Sequence, residues 1–413
     1  MSGSSDTPIP KRPLYEESSQ FKHWRFSRSK LDELRSALNE RSIQIVRENL
    51  EEEEKARAST STDTNEVDNP IKPAALAVDT QYLSTEDESL LVSFYISSIP
   101  KTCAGFGLPE VVEATAISYL KRFYLWNTCM DYHPRKVMPA CLFLACKTEN
   151  CLIPIDPFIS RFSKLKSEEI LELEFVVARS LKFEFTTWGA HKSLKGFALD
   201  LQTLPNTTLS TINNVIQSAQ PLIQLSRQTD LELTYAPSQI ALAALHQIDP
   251  VLTERYLSFK REPPSSVEPG VEADGKGKQK KPLPVGTEAL LQIFEEIKAV
   301  FSEQAKKVLS IERSKEIDRR LRTCANPELI KGTALYAKRK QEEEAQEAEK
   351  RQKKAERAQA SKASDEAIFG GDLRTIPPAD SAPSESAFLD GPCSDTGNQW
   401  GMTVFRSDQL CGS

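Results

Sequence analysis

Two stretches of this chain follow one pattern, and that pattern limits what the chain can fold into. YHPRKVMPACLFLAC (132–146) and YAPSQIALAALHQI (235–248) each run aromatic, spacer, proline, two polar residues, then an apolar series. A proline in the first turn of a helix gives up an N–H that has no intrahelical partner there anyway. The apolar series behind it predicts a helix buried on most of its faces. Pro134 and Pro237 lie about a hundred residues apart, and Leu120 and Leu222 hold matching places on the helices upstream. An internal period of that length predicts two copies of one helical unit.

The remaining punctuation is helical too. Thr85 and Glu88 frame a capping box before LLVSFYI. Pro109 opens PEVVEATAISYLKRFYLW, Asp156-Pro157 a short helix, and Ser167 with Glu168 and Glu169 another, with acids placed to suit the helix dipole. Helices follow over 190–202, 209–227, 237–248 and 251–259, and Leu290, Phe294, Ile297 and Phe301 form a further apolar stripe. No alternating runs bounded by turns support strands. The expected fold is all-α: two tandem five-helix repeats with flanking N- and C-terminal helices.

The expected boundaries are 1–26, an N-terminal segment loose over 1–20; 27–50, a helix with Leu31, Leu34, Leu38 and Ile45 on one face and Ser29 with Asp32 at its start; and 51–83, an acidic then Ser/Thr-rich linker. The first repeat spans 84–187 and the second 188–308, broken by an insertion over 261–284 with five prolines and three glycines. A C-terminal helix follows over 309–330. The remainder, 331–413, reads as a charged and disordered tail. Within it, 14 of the 20 residues of 338–357 are charged, so this part could be a solvated helix but cannot bury a core.

Fifty-three basic against 59 acidic residues give a net charge of −6, which argues against nucleic-acid binding through bulk charge. Eight cysteines without regular spacing and no signal-like N-terminus predict reduced thiols inside the cell. No apolar run approaches the roughly 18 residues of a membrane span, so no membrane partner is expected.

The repeats, with LKRFYLWNTCMDYHPRKVMPACLFLACK in the first, resemble the cyclin family. FKHWRFS (21–27), YAPSQIAL (235–242) and RLRTCANPEL (320–329) are most similar to its cyclin H type. The resemblance covers about residues 14–330. It implies a non-catalytic activator of a cyclin-dependent kinase, in the CDK-activating kinase and TFIIH module, that supports phosphorylation of kinase activation loops and the RNA polymerase II C-terminal repeat. It also implies a RING-finger assembly subunit, the TFIIH core as a further partner, a nuclear location and no cofactor. Another transcriptional cyclin, of the C, K or L type, is the alternative within the family.

Lys147 ends the apolar stretch of its helix. There a cation suits the exposed carbonyls, or snorkels past the apolar surface to reach water. The resemblance implies a sharper role, in which Lys147 and Glu174 contact the kinase and Leu144 and Phe183 supply the apolar part of the contact. Charges at the rim of an apolar surface can fix a partner's register. Thr148 and Ala178 depart from the larger apolar residues of some cyclins. Trp24 and Phe26 are expected to anchor the N-terminal helix by packing.

Other chemistries find little support. Cys141 and Cys146 point to different faces of a helix, and no C-x-x-C pair exists. No metal site is expected, and these cysteines read as small buried hydrophobes. His133 either caps its helix or stands exposed. No phosphate loop or local catalytic signature is present, so no catalytic residue is named. A general transcription factor of the TFIIB type also carries two such repeats, but this chain has no N-terminal ribbon cysteines. The basic clusters at 276–281 and 350–354 lie outside the repeats and read as solvated charge or nuclear import signals, so no direct nucleic-acid contact is expected.

Overall fold

The computed structural model describes residues 14–60, 81–162, 165–261, 286–307 and 310–368. The insertion after Arg261 and the chain beyond Ile368 lie outside them. Among the described residues there is no strand. Two short helices, α1 (Leu14–Glu17) and α2 (Ser19–His23), precede the long α3 (Arg28–Thr60). The first repeat comprises α4 (Thr85–Phe106), α5 (Glu110–Phe123), α6 (Pro134–Thr148), α7 (Ile155–Ile159) and α8 (Ser167–Ser180). The second comprises α9 (Ala190–Asp200), α10 (Leu209–Ser226), the single turn α11 (Leu231–Thr234), α12 (Pro237–Ile248), α13 (Pro250–Arg261) and α14 (Thr287–Lys306). Then come α15 (Ile311–Leu321) and α16 (Ala334–Ile368).

Each repeat is built around its proline-initiated helix. Eleven of the 15 residues of α6 are buried, enclosed by α4, α5 and α8. The corresponding α12 is enclosed by α9, α10, α13 and α14. Tyr119, Phe123, Phe143 and Phe158 fill the first core; Leu245, Leu257, Phe294 and Phe301 fill the second. A helix with so little free surface must be apolar nearly all round, which is why both stretches stand out in the sequence.

The caps sit close to where they were expected. Ser84, not Thr85, is the N-cap of α4: its Oγ accepts from Asp87 N at 3.2 Å and Asp87 Oδ2 accepts from Ser84 N at 3.5 Å. Ser27 rather than Ser29 serves α3, accepting from Lys30 N at 3.2 Å. Pro134 is the first residue of α6, and His133 caps that helix, its Nδ1 accepting from Arg135 N at 3.0 Å while Nε2 meets Asp318 Oδ1 at 2.7 Å.

Three boundaries differ from the sequence reading. Residues 14–23, expected to be loose through residue 20, are mostly helical, because Gln20 is buried at the first repeat. The helix expected over 27–50 continues to Thr60, so the first ten residues of the expected linker are helical. The cause is Glu53, whose carboxylate accepts from Ala334 N (3.2 Å), Leu335 N (3.1 Å) and Arg57 Nε (2.9 Å). Burial pushes this carboxyl up, but the hydrogen bonds from Leu335, Arg57 and Ala334 outweigh burial and hold it below its ordinary range. Finally, residues 334–368 of the expected disordered tail form α16. The chain divides into two units, the first ending at Glu344. From Ala345, α16 is exposed through Ser361 and carries i,i+4 pairs such as Glu347–Arg351 (3.2 Å) and Glu349–Lys353 (2.5 Å), which support a helix without a core.

The N-terminal segment joins the repeats. Trp24, 1% exposed, packs with Leu31, Leu125 and Leu233, which come from α3, the first repeat and the second. Phe26 packs against the same cluster, so both aromatic residues are packing anchors. Phe26 N donates to Leu233 O at 2.7 Å, and Arg35 grips Asp230 with two hydrogen bonds of 2.7 and 2.9 Å. The repeats also meet directly where Arg227 pairs with Glu110 (2.5 Å) and Glu113 (2.8 Å). The C-terminal helix docks on the first repeat. Arg313 and Arg320 hold the two oxygens of Asp87 at 2.9 and 2.8 Å, while Ile317, Leu321 and Cys324 join Val46, Leu91 and Met130 in a small core.

Replacing Trp24 by alanine should destabilise the chain by about 3–5 kcal/mol, the usual cost of emptying a fully buried aromatic site. Urea unfolding followed by circular dichroism measures this, and an unchanged midpoint would show that the anchor is dispensable. Glu88 gives a pH prediction. Its Oε1 accepts from Cys129 N at 2.9 Å, and burial, the largest influence, pushes the carboxyl up to about 7. The folded chain therefore holds this proton where the unfolded chain has lost it. The contribution of Glu88 falls as pH rises from about 4.5 to 7, by up to about 1.4 kcal/mol per pH unit, and is level above that. Glu88→Gln should become more stable relative to the parent across that window. A stability difference that stays flat from pH 5 to pH 7 would contradict the assignment.

Candidate protein-binding site

Because α6 is enclosed, its side chains reach solvent only near its ends. At the C-terminal end, Lys147 is the last charged residue of the helix. Its Nζ lies 2.7 and 2.8 Å from the two oxygens of Glu174 on α8 and 4.5 Å above the centre of the Phe143 ring. The lysine side chain is 42% exposed and the glutamate 15%. Sequence-distant Lys147 and Glu174 are therefore brought together as one ion pair at the surface. An ion pair this exposed adds about 0–1 kcal/mol to stability, so fold stability alone gives little reason for it. Glu149, the other charge at this helix end, turns inward and accepts from Thr115 Oγ1 at 2.6 Å.

The apolar surroundings differ from expectation at one position. Leu144 does not line the surface: it is 6% exposed, since its side of α6 faces the first core. Phe183 does, at 57% exposed. Beside it stands Phe175, 62% exposed, with the two rings edge to face at 6.4 Å; Leu171, one turn earlier on α8, is also exposed. The sequence reading missed Phe175 and Leu171. Their signal was local, since Leu171, Glu174 and Phe175 occupy one face of α8 at i, i+3 and i+4 spacing. Ala178, small and buried on the same helix, leaves the patch shallow there. Thr148 is half-buried, donating to Ala145 O at 3.2 Å and accepting from Tyr119 Oη at 3.0 Å.

Phe183 reaches its place through an unusual turn. After α8, Lys182 and Phe183 both adopt left-handed backbone conformations, with φ of +54° and +58°. Such conformations cost roughly 1–3 kcal/mol each for residues with side chains, and persist where the surroundings over-determine them. Here Phe183 N donates to Ala178 O and Lys182 N to Arg179 O, both at 2.9 Å, which closes the end of α8. Adjacent exposed aromatic residues, a charged pair at their edge and a strained turn holding one of them form a surface suited to a protein partner.

Cys103, Cys129, Cys141, Cys146 and Cys324 are buried and unpaired, as expected of small hydrophobes. Burial pushes their thiols up, to about 12 for Cys103 and about 11 for Cys146 and Cys324, and well above the usual range for Cys129 and Cys141. Among the described residues, no group of three or more His, Cys, Asp or Glu is placed to hold a metal ion, and no helix is long and apolar enough to cross a membrane.

Comparison with known proteins places this geometry in a family. The family model described as cyclin, N-terminal domain, matches residues 65–186, and that described as cyclin C-terminal domain matches residues 189–307. Cyclin mcs2 of Schizosaccharomyces pombe is 31% identical over 334 residues, covering 80% of this chain and 91% of that protein. A chain in the structure of the CAK complex from Chaetomium thermophilum bound to ATP-gamma-S shares the fold with a TM-score of 0.60 at 24% identity, covering 80% of this chain and 94% of that one. A chain of the cryo-EM structure of the yeast TFIIK (Kin28/Ccl1/Tfb3) complex matches with a TM-score of 0.50 at 27% identity, covering 70% of this chain and all of the other. With two adjacent domain matches and a relative aligned over nearly its whole length, this chain belongs to the cyclin family.

Proposed function

We propose that this chain is the regulatory subunit that binds and switches on a cyclin-dependent kinase of the CDK-activating and TFIIH type, contributing no catalytic group of its own. One observation carries this reading: an exposed patch of Phe175, Phe183 and Leu171 edged by the Lys147–Glu174 pair. The patch supplies area to bury. The ion pair supplies direction, since each charge retains unused hydrogen-bonding capacity that a partner's polar groups can engage.

The chemistry required of such a subunit is selection between kinase conformations. A surface that binds the kinase state with its regulatory helix turned inward more tightly than the other state shifts the equilibrium by that difference in affinity. The inward state assembles the lysine–glutamate pair that holds the ATP phosphates, so activation follows without any catalytic side chain from the activator. The resemblance to cyclin H supports a kinase that acts on other kinases' activation loops and on the RNA polymerase II C-terminal repeat. The yeast TFIIK complex, named for three chains, supports a third subunit, which we assign to the RING-finger assembly type. Attachment to the TFIIH core and a nuclear location complete the proposal.

Lys147→Glu places two carboxylates side by side at the rim, and Phe175→Ser removes a ring that is 62% exposed. Each should raise the dissociation constant for a purified catalytic subunit of CDK-activating kinase about tenfold or more. Phe175→Ser should leave unfolding stability within about 0.5 kcal/mol of the parent, as for other surface changes. Calorimetric titration and a kinase assay on the complex measure these effects. Parental affinity and activity in both folded variants would remove this surface from the interface.

A further inference from the structure

The turn that carries Phe183 meets a segment far from it in sequence. Phe183 is followed by Glu184, whose two oxygens are both engaged by the N-terminal segment. His23 Nδ1 lies 2.6 Å from Oε1, and Trp24 Nε1 donates to Oε2 at 2.6 Å. A carboxylate only accepts, so His23 carries its proton on Nδ1. Farther along the same turn, Gln20 brackets Trp188: its Nε2 donates to Trp188 O at 3.1 Å and its Oε1 accepts from Trp188 N at 2.7 Å. Beneath both lies Arg122, 1% exposed, donating to Gln20 Oε1 at 3.0 Å and to Glu184 O at 3.3 Å. The Lys182 ammonium lies 5.9 Å from the centre of the Trp24 ring and 5.0 Å from that of Trp126.

These contacts flank the left-handed pair at Lys182 and Phe183, whose own backbone N–H groups bond to Arg179 O and Ala178 O at the end of α8. Two adjacent residues with side chains do not keep that conformation unless their neighbours fix it. The next residue on the C-terminal side, Glu184, is bonded by His23 and Trp24, and the exposed Lys182 lies over the two tryptophan rings. We propose that Glu184 is a positioning residue for the kinase-binding surface, and that the segment around Gln20, His23 and Trp24 sets partner affinity by holding Phe183 in its exposed position, without itself touching the partner. This deepens the function proposed above and rests on it. Glu184 faces the N-terminal segment, while Phe183 faces outward beside Phe175. One residue therefore reads the N-terminal segment and its neighbour presents the result.

The test is a double-mutant cycle in the full chain, titrated with a purified catalytic subunit of CDK-activating kinase. Phe183→Ala alone and Glu184→Ala alone should each raise the dissociation constant about tenfold. Together they should raise it about tenfold as well, because removing the anchor already misplaces the ring. Trp24→Phe keeps a buried aromatic ring while removing the Nε1–H and, with it, part of the indole volume. It should weaken binding at least about threefold in the parent and not at all in the Phe183→Ala background, which keeps the test open if Glu184→Ala does not fold. Parental affinity in Glu184→Ala and Trp24→Phe, or a combined effect near a hundredfold, would overturn the positioning role while leaving the interface intact. Parental affinity in both Phe183→Ala and Lys147→Glu would overturn the interface reading and this inference with it.

Discussion

Enclosure of α6 shapes the first repeat. With α4, α5 and α8 packed around it, the helix spends its length on apolar contact and keeps a polar function only where it ends. Any charge belonging to it must emerge at a terminus, and Lys147 does. The carbonyls exposed at that end favour a cation, the Phe143 ring supports it, and Glu174 on the neighbouring α8 meets it. The same packing buries Leu144 and leaves the apolar share of the surface to α8 and the turn after it, where Leu171, Phe175 and Phe183 stand exposed. The site is therefore a consequence of how one helix is buried.

Around that core, the chain uses its ends as fasteners. Trp24 and Arg35 tie the N-terminal segment to both repeats, and Arg313 and Arg320 tie α15 to Asp87 at the start of α4. Glu53 fixes the start of α16 to the far end of α3 through backbone N–H groups. Fasteners of this kind involve few residues and long loops. They are specific because each buried polar group must find its partner or leave a desolvated group unsatisfied. The junction of the repeats follows the same logic, with buried Arg227 facing two glutamates.

Much of this could be read from the sequence, for stated reasons. Pro134 and Pro237 begin helices at a fixed place in a repeat, and first-turn prolines and unbroken apolar series are local signals. That Lys147 and Glu174 share one site was legible only through the family resemblance, since nothing local links residues on different helices; that they bond each other was not legible at all. Leu144 was misplaced because residues one turn apart on a nearly enclosed helix differ in burial in ways periodicity cannot resolve. Phe175 was missed although its spacing with Leu171 and Glu174 marked it. The helical extension to Thr60 was hidden because its cause, Glu53, acts through residues near 334, and an acidic stretch alone reads as linker. The Glu184–Trp24 contact has no local trace at all.

In the proposed complex, a kinase subunit lands on the end of α6, one face of α8 and the turn after it. Amide hydrogen–deuterium exchange, on the chain alone and with a purified catalytic subunit of CDK-activating kinase, tests this directly. Exchange should slow on binding at residues 147–152 and 171–185, with the second repeat little changed. Unchanged exchange in those two stretches, with protection confined to the second repeat or to α16, would contradict that placement.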